Sequence, residues 1–260
     1  MKTFCLLILW RGEELLKKVG DRLTIVGVAH VLPKSTADVR ATIESERPEI
    51  VAVELCPNRY AALTKGEQQL GATDALRLGQ LRPFVLNKLF HAIQNKFARQ
   101  TGMPVGEEML AAIEYAKKAG ARVELIDRDI IVTIQRLSYL MSKREKIRLF
   151  GELLIGLLPL VVERIDFERL TEDQVTASLI STLKQESPTT YKVLIEERDE
   201  FMATRIVSLL ASSKGKIVCV VGAGHVPGLY RRLASQLEGG WQARLEYPLE
   251  ISGAPLQDFD

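Results

Sequence analysis

The sequence has few cysteines and no marked excess of either charge. Its three cysteines are widely spaced among apolar neighbours, so we expect reduced thiols, a reducing compartment such as the cytoplasm, and no disulfide framework. The 35 basic and 33 acidic residues are mixed along the chain and leave a net charge of +2. Because nucleic-acid binding requires a basic stripe or patch, we expect no nucleic-acid partner.

Long apolar runs are also missing. Met1–Trp10 is followed at once by charged residues and lacks a small-x-small cleavage site, so we predict an edge strand there rather than a secretory signal. The stretch 149–162 contains Glu152 and Pro159 and is shorter than the roughly 20 apolar residues that a membrane-spanning helix needs. It is predicted to be a buried helix or the interface of a homo-oligomer.

The common catalytic motifs are absent. The chain has no Gly-x-Ser-x-Gly, no phosphate-binding loop and no His-Glu-x-x-His, which removes the direct support for a serine hydrolase, a nucleotidase or a zincin. The stretch 222–228 has several glycines after a strand, but its spacing is Gly-x-Gly-x-x-x-Gly and it contains His and Pro. That pattern does not favour dinucleotide binding.

Two Gly-x-x-His units are present instead. The apolar run Leu23–Val26 leads into Gly27-Val-Ala-His30, and the run 216–221 leads into Gly222-Ala-Gly-His225. These units hold two of the three histidines in the chain. Glycine permits a sharp departure from a strand, so each histidine is predicted to lie at the carboxyl end of a buried strand, where open α/β sheets carry their functional groups.

The order of strand-like and helix-like segments predicts the fold. The 260 residues, 47% of them hydrophobic, are expected to form one domain over 1–260. We predict an α/β fold with a mainly parallel central sheet flanked by helices, because strands alternate with helical crossovers. A helical insertion at about 130–213 is predicted to act as a lid or wall for the site. The predicted strands are 23–26, 49–55, 122–126, 216–221 and a closing strand near 243–249; the predicted helices are Ser35 to Arg47, several within 72–119 that end at Gly120, and 227–236.

A parallel sheet would bring distant polar residues together. His30, Asp127 and His225 follow three of the strands, and Glu54 lies near the end of a fourth. Two imidazoles and one or two carboxylates suit a divalent transition metal with an open position for water. Such a metal lowers the pKa of bound water and polarises a carbonyl, as hydrolysis requires. Without a metal, Glu54 or a histidine can serve as a general base.

Three arginines are further candidates for the site, and some of the candidate residues can instead have structural roles. Arg59, Arg128 and Arg198 are available to orient carboxylates or to stabilise a developing oxyanion. Glu54 can instead form a buried ion pair with Arg59 or Arg198, and Asp127 can cap the following helix. The charges at 197–199 can form a solvated helix face.

Five motifs in the same order resemble the TraB/PrgY family, named for pheromone shutdown and related to the Tiki membrane metalloproteases. The resemblance extends through nearly the whole chain and is strongest to prokaryotic, especially archaeal, members. It implies an erythromycin-esterase or ChaN-like α/β fold, with paired Gly-x-x-His motifs and a strand glutamate in the active site. The motifs are 27–31, 48–56 with Arg59, 126–130, 197–202 and 220–228.

The resemblance also implies chemistry. The Tiki branch suggests a peptidase dependent on manganese or cobalt, with zinc as a further candidate. By position, the metal ligands are expected to be His30, Glu54 and His225, and the catalytic residues Glu54, Arg59, Asp127 and Arg198. The expected function is a metal-dependent hydrolase acting on a peptide or a small signalling substrate, and the alternative is a non-catalytic protein that sequesters such a molecule.

The membrane question has two interpretations. Many relatives continue into C-terminal membrane helices, and this chain ends at Asp260. It is therefore interpreted either as a soluble, cytoplasmic member of the family or as a shortened form of a membrane-associated protein.

Overall fold

The strands form one sheet with a single antiparallel edge. The computed structural model describes residues 15–28, 33–65, 106–147 and 180–238. Within these residues five strands pair in the order β1-β2-β5-β3-β4, where β1 is antiparallel to β2 and every other pair is parallel. The expected mainly parallel α/β sheet is confirmed. The strands are β1 Leu16–Val19, β2 Leu23–Val28, β3 Ile50–Val53, β4 Arg122–Leu125 and β5 Ile217–Gly222.

Helices connect these strands and cover the sheet. A π-helical turn at Lys192–Glu196 joins the fifth and sixth helices below, and a 3₁₀ turn at Ala223–His225 joins β5 to the seventh. Residues 143–147 and 180–186 are also helical. The labelled helices are α1 Pro33–Glu46, α2 Pro57–Lys65, α3 Glu107–Lys118, α4 Ile130–Leu140, α5 Pro188–Tyr191, α6 Glu197–Ser212 and α7 Val226–Glu238.

The central strands are buried on both faces, as expected for parallel strands under helices. Along β5, Cys219 packs with residues of α6 and α7, while Val218 and Val220 pack with residues of α1 and α3 on the opposite face. This alternation follows from the two-residue period of a strand. Two layers of helices therefore enclose the sheet: Met202, Ile206, Leu229 and Leu233 belong to one core, and Val39, Ile43, Met109 and Ile113 to the other.

Several boundaries differ from the prediction for local reasons. α1 begins at Pro33 rather than after Ser35, since proline is tolerated in the first turn of a helix. The edge strand β1 at Leu16–Val19 was not predicted, because Lys17 and Lys18 obscure its pattern. Gly120 ends α3 with a φ of 73°, as predicted for a glycine cap.

Some predictions fall on residues that the structure does not describe. The predicted edge strand at 1–10, the apolar helix at 149–162 and the closing strand near 243–249 all lie outside the described residues. In the described parts of 130–213, regular structure is helical and no strand is present. The single-domain boundary at 1–260 stays a prediction.

The parallel strands direct their carboxyl ends to one edge of the sheet. Glu54 directly follows β3, Asp127 lies two residues beyond β4, and His225 is the last residue of the 3₁₀ turn that follows β5. Residues 29–32, which follow β2 and include His30, lie outside the described residues.

Candidate functional site

His225 is the buried centre of a polar cluster at this edge. The short 3₁₀ turn after β5 carries its ring inward, so the residue is only 5% exposed. Its Nδ1 lies 2.6 Å from Oδ1 of Asp199 on α6. Its Nε2 lies 3.3 Å from Oε1 of Glu54 and 3.1 Å from Nη1 of Arg198. The histidine of this Gly-x-x-His unit therefore contacts three charged groups.

Glu54 is fixed at both carboxylate oxygens. The backbone N–H of Gly222 donates to its Oε2 at 2.6 Å, and Nη2 of Arg198 donates to its Oε1. Its own N–H donates to the carbonyl of Val220 at 3.0 Å, which continues the pairing of β3 with β5. The first glycine of the unit thus supplies a hydrogen bond to the strand glutamate as well as a turn.

Arg198 joins the two carboxylates that follow β3 and β4. Its Nε and Nη2 donate to Oδ1 and Oδ2 of Asp127 at 3.0 and 2.7 Å. Its Nη1 also donates to the carbonyl of Leu194 at 3.1 Å. This two-bond geometry is the favoured pairing of a guanidinium with a carboxylate. We name Glu54, Asp127, Arg198, Asp199 and His225 the carboxyl-edge cluster.

Burial and neighbouring charges shift the pKa values of Glu54, Asp199 and His225. Burial works to raise the pKa of Glu54, but His225 and Arg198 outweigh it and hold that pKa well below 4.5. Burial works to lower the pKa of His225, but the carboxylates of Glu54 and Asp199 raise it to about 9. Burial raises the pKa of Asp199. Three carboxylates face two basic groups, so the cluster keeps one uncompensated negative charge when all five groups are ionised.

A second ion-pair network holds α6 in place. Arg128 donates to Glu197 Oε2 at 2.9 Å and to the carbonyl of Val193 at 3.1 Å. Arg136 on α4 donates to both oxygens of Glu197, at 2.6 and 2.7 Å. Val193 and Leu194 lie in the π-helical turn, a feature that is frequent at functional sites. The turn directs two carbonyls at the guanidinium groups of Arg128 and Arg198.

The structure brings together four of the predicted site residues. Glu54, Asp127, Arg198 and His225 belong to one hydrogen-bonded cluster. Arg59 lies on α2, and among the described residues it takes part in none of the hydrogen bonds or ion pairs of that cluster. His30 lies outside the described residues.

The structural alternatives have different outcomes. Glu54 does form a buried ion pair, and its partner is Arg198. Asp129 rather than Asp127 caps α4, since its Oδ1 accepts from the N–H of Ile131 at 2.8 Å. The solvated-face interpretation of 197–199 is wrong, because Asp199 is 2% exposed and all three side chains are paired.

Sequence reasoning missed the roles of Asp199 and Gly228. A Cβ at position 228 would lie 2.8 Å from Cγ of Asp199 and closer still to its Oδ2. Only glycine therefore lets the carboxylate of Asp199 approach α7 this closely. The available signal was the dense charge at 196–200, where Asp199 directly follows Arg198.

The donor atoms of the cluster match a divalent metal in two respects. Two ligands held about 2.1 Å from one ion at an angle of about 105° are about 3.3 Å apart, and Glu54 Oε1 and His225 Nε2 are separated by 3.3 Å. A carboxylate behind the other ring nitrogen, here Asp199, is also typical of a metal-binding histidine.

The guanidinium of Arg198 occupies the same region. It contacts both of these donor atoms, and no three His, Cys, Asp or Glu side chains within the described ranges are arranged to hold a metal together. Glu54 and His225 are the two predicted ligands within the described ranges, and the predicted third ligand, His30, lies outside those ranges.

The fold and the cluster define an α/β protein with a charged site at the carboxyl edge of a parallel sheet. Comparison of the sequence with known families identifies the particular family: residues 14–243 match the TraB/PrgY/gumN family. The chain belongs to this family. The family membership predicted from the five motifs is confirmed.

Curated relatives come from archaea and animals. The chain is 39% identical over 222 residues to the uncharacterized protein MJ1365 of Methanocaldococcus jannaschii, covering 83% of this chain and 54% of that protein. It is 28% identical over 249 residues to a TraB domain-containing protein of Homo sapiens, covering 86% of this chain and 66% of that protein. The chain thus spans about half to two thirds of these relatives.

None of the helices in the described ranges is both long enough and apolar enough to cross a membrane.

Proposed function

We propose that this chain is a metal-dependent hydrolase that acts on a peptide, with its active site at the carboxyl-edge cluster. The observation that carries the proposal is the line of groups from Asp199 through His225 to Glu54. Asp199 binds Nδ1 of the ring, and Nε2 lies 3.3 Å from Glu54 Oε1. A buried carboxylate behind an oriented imidazole, and a second carboxylate at ligand spacing, supply two of the three protein ligands that a catalytic metal uses.

Glu54 and His225 would hold the metal together with His30. A divalent manganese, cobalt or zinc ion bound there would supply an acidified water and polarise the scissile carbonyl. The uncompensated negative charge of the cluster favours such a cation. In the protein itself, Asp199 fixes the ring of His225, and the N–H of Gly222 fixes the second oxygen of Glu54.

Arg198 and Asp127 have a supporting role in this proposal. The two-bond pairing with Asp127 holds the guanidinium beside Glu54 and His225. A buried positive charge that Asp127 keeps near the site is suited to stabilising a developing oxyanion. The peptide class of the substrate rests on the family resemblance to the Tiki branch, and Arg59 keeps a predicted supporting role outside the cluster.

Metal analysis and a peptidase assay test the proposal directly. Protein purified without chelator is expected to carry manganese, cobalt or zinc, and to cleave peptides from a mixed library when manganese or cobalt is supplied. His30→Gln, Glu54→Gln and His225→Gln are each expected to lose metal and activity. The exposed pair of Arg40 and Glu44 offers the control Glu44→Gln, which should retain both. Absence of metal from the wild type, together with no cleavage at any added metal, would overturn the proposal.

A non-catalytic binding protein is the second candidate. The observation in its favour is that Arg198 pairs with both Glu54 and Asp127, so each carboxylate has a cationic partner within the protein itself. A sequestering protein would be stabilised by its peptide or signal ligand, as any ligand of the folded state stabilises a protein. A rise in melting temperature with a peptide that is recovered uncleaved would favour this candidate over the hydrolase.

A further inference from the structure

We infer that Arg198 is an internal counter-cation that competes with the metal for Glu54 and His225. In the structure the guanidinium holds Glu54, Asp127 and the carbonyl of Leu194; when a metal binds, Arg198 keeps only Asp127 and the carbonyl of Leu194. The inference rests on the proposed function and concerns the same site.

The contacts of Arg198 show why the two cations exclude one another. Its Nη2 donates to Glu54 Oε1, and its Nη1 lies 3.1 Å from His225 Nε2. These oxygen and nitrogen atoms are the two donors that are 3.3 Å apart and suited to one ion. The Oε1 lone pair that accepts a hydrogen bond from this guanidinium is not available to a metal. A dication bound at Nε2 would also lie against Nη1, which is 3.1 Å from that nitrogen. Metal binding therefore requires Arg198 to withdraw from both.

Arg198 has a second anchor that allows this withdrawal. Its Nε and Nη2 bind the two oxygens of Asp127, and its Nη1 binds the carbonyl of Leu194. Asp127 is itself held, because its Oδ1 accepts from the N–H of Arg128 at 2.7 Å and its N–H donates to the carbonyl of Leu55 at 3.1 Å. When the contact with Glu54 is lost, the guanidinium therefore remains bound to both carboxylate oxygens of Asp127.

Two consequences follow for the whole protein. Release of the metal does not leave Glu54 as an unpaired buried charge, which would otherwise be strongly destabilising. The same guanidinium lowers the affinity for the metal, because a dication must displace it and then bind close to its positive charge. Arg198 thus lowers the affinity for the metal and stabilises the protein when no metal is bound.

Arg198→Gln separates these effects, and Arg128→Gln is a matched control. The side chain of Arg128 is 11% exposed against 15% for Arg198, and it pairs with Glu197 rather than with Glu54 or His225. Mn²⁺ affinity is measured by competition with a fluorescent chelator, and the melting temperature is measured with Mn²⁺ and with excess chelator. Arg198→Lys keeps the charge but not the two-bond geometry, and serves if the Gln variant does not fold.

Arg198→Gln is expected to bind Mn²⁺ at least tenfold more tightly than the wild type and to gain more in melting temperature from the metal. Arg128→Gln should match the wild type in affinity, and Arg198→Lys should lie between. If the wild type binds Mn²⁺ but the Arg198 variants bind it equally or more weakly, the competition is overturned and the metal site stands. If neither the wild type nor any variant binds Mn²⁺, both the competition and the metal-dependent function are overturned.

Discussion

Gly228→Ala tests whether Asp199 controls His225. The added Cβ would lie 2.8 Å from Cγ of Asp199 and closer to Oδ2, whereas ordinary contact begins at 3.4 Å. The carboxylate must therefore move by about 1 Å or more to relieve the overlap. Its 2.6 Å hydrogen bond to Nδ1 of His225 does not survive a displacement of that size.

Two opposing contributions decide how Gly228→Ala changes the free energy of unfolding. Loss of a buried hydrogen bond to a charged group costs about 1.5–3 kcal/mol, while alanine in place of glycine in a helix returns at most about 1 kcal/mol. With the full helix gain we expect a net loss of about 0.5–2 kcal/mol, which corresponds to a fall in melting temperature of about 1–8 °C for a chain of this size. The pKa of His225 should also fall from about 9, because burial, which lowers it, is then opposed by Glu54 without Asp199.

Gly224→Ala provides the control within the same turn. A Cβ at position 224 meets the tip of the Ile180 side chain at 2.9 Å, and a flexible side-chain end can move away. The assays are thermal unfolding and the titration of ¹⁵N-labelled imidazoles by NMR in chelator, with the resonance of His225 identified from a His225→Gln sample. Equal melting temperatures and equal His225 pKa values for the two alanine variants would refute this account of Gly228.

Other predictions use the same ion pairs. Glu54→Gln breaks the buried pair with Arg198 and should lower the free energy of unfolding, measured in urea, by about 3 kcal/mol. Glu44→Gln breaks the exposed pair with Arg40 and should leave the urea midpoint unchanged. An unchanged midpoint for Glu54→Gln would contradict the stabilising role of the buried pair. The hydrogen bond from Arg136, opposed by burial and helped by Arg128, lowers the pKa of Glu197 to about 2. Since the folded pKa lies below the usual glutamate value of 4.5, the ionised Glu197 stabilises the protein above pH 4.5. The difference in stability between wild type and Glu197→Gln should therefore close as the pH falls from 4.5 to 2, and a difference independent of pH would rule this out. Sizing at several concentrations tests the homo-oligomer predicted from 149–162, and a monomer at every concentration would remove its motivation.

The sheet could be predicted because its central strands carry a strong local signal. β3 and β5 are short runs rich in Val and Ile that are buried on both faces, and the helices between them require parallel pairing. β1 carries the sequence Leu-Lys-Lys-Val and exists through its pairing with β2, where Leu16 lies opposite Val26. Charged residues are common on edge strands because they discourage further pairing, and the same charges hide such a strand from a pattern search.

One rule of topology predicted most of the candidate site. Glu54, Asp127 and His225 meet because each follows a parallel strand, and a sequence shows where strands end. Arg198 and Asp199 come from a helix, whose position over the sheet depends on the packing of the whole core. Their partners are 71 residues away in the pair with Asp127 and 26 residues away in the pair with His225. The family resemblance identified Arg198, whereas Asp199 was missed because the dense charge at 196–200 does not show which partner it has.

The position of α6 shows whether this part of the predicted helical insertion is a movable lid over the site or a fixed wall beside it. Met202 and Ile206 are completely buried in the same core as Cys219 of β5, and the first turn of the same helix supplies Arg198 and Asp199 to the cluster. A lid must separate from the site without unfolding the core, and α6 cannot do so because its apolar face is part of that core. Movement of α6 away from the sheet would also leave Glu54 and Asp127 without their shared cation. α6 is therefore a fixed wall, and any opening of the site to substrate must come from other segments.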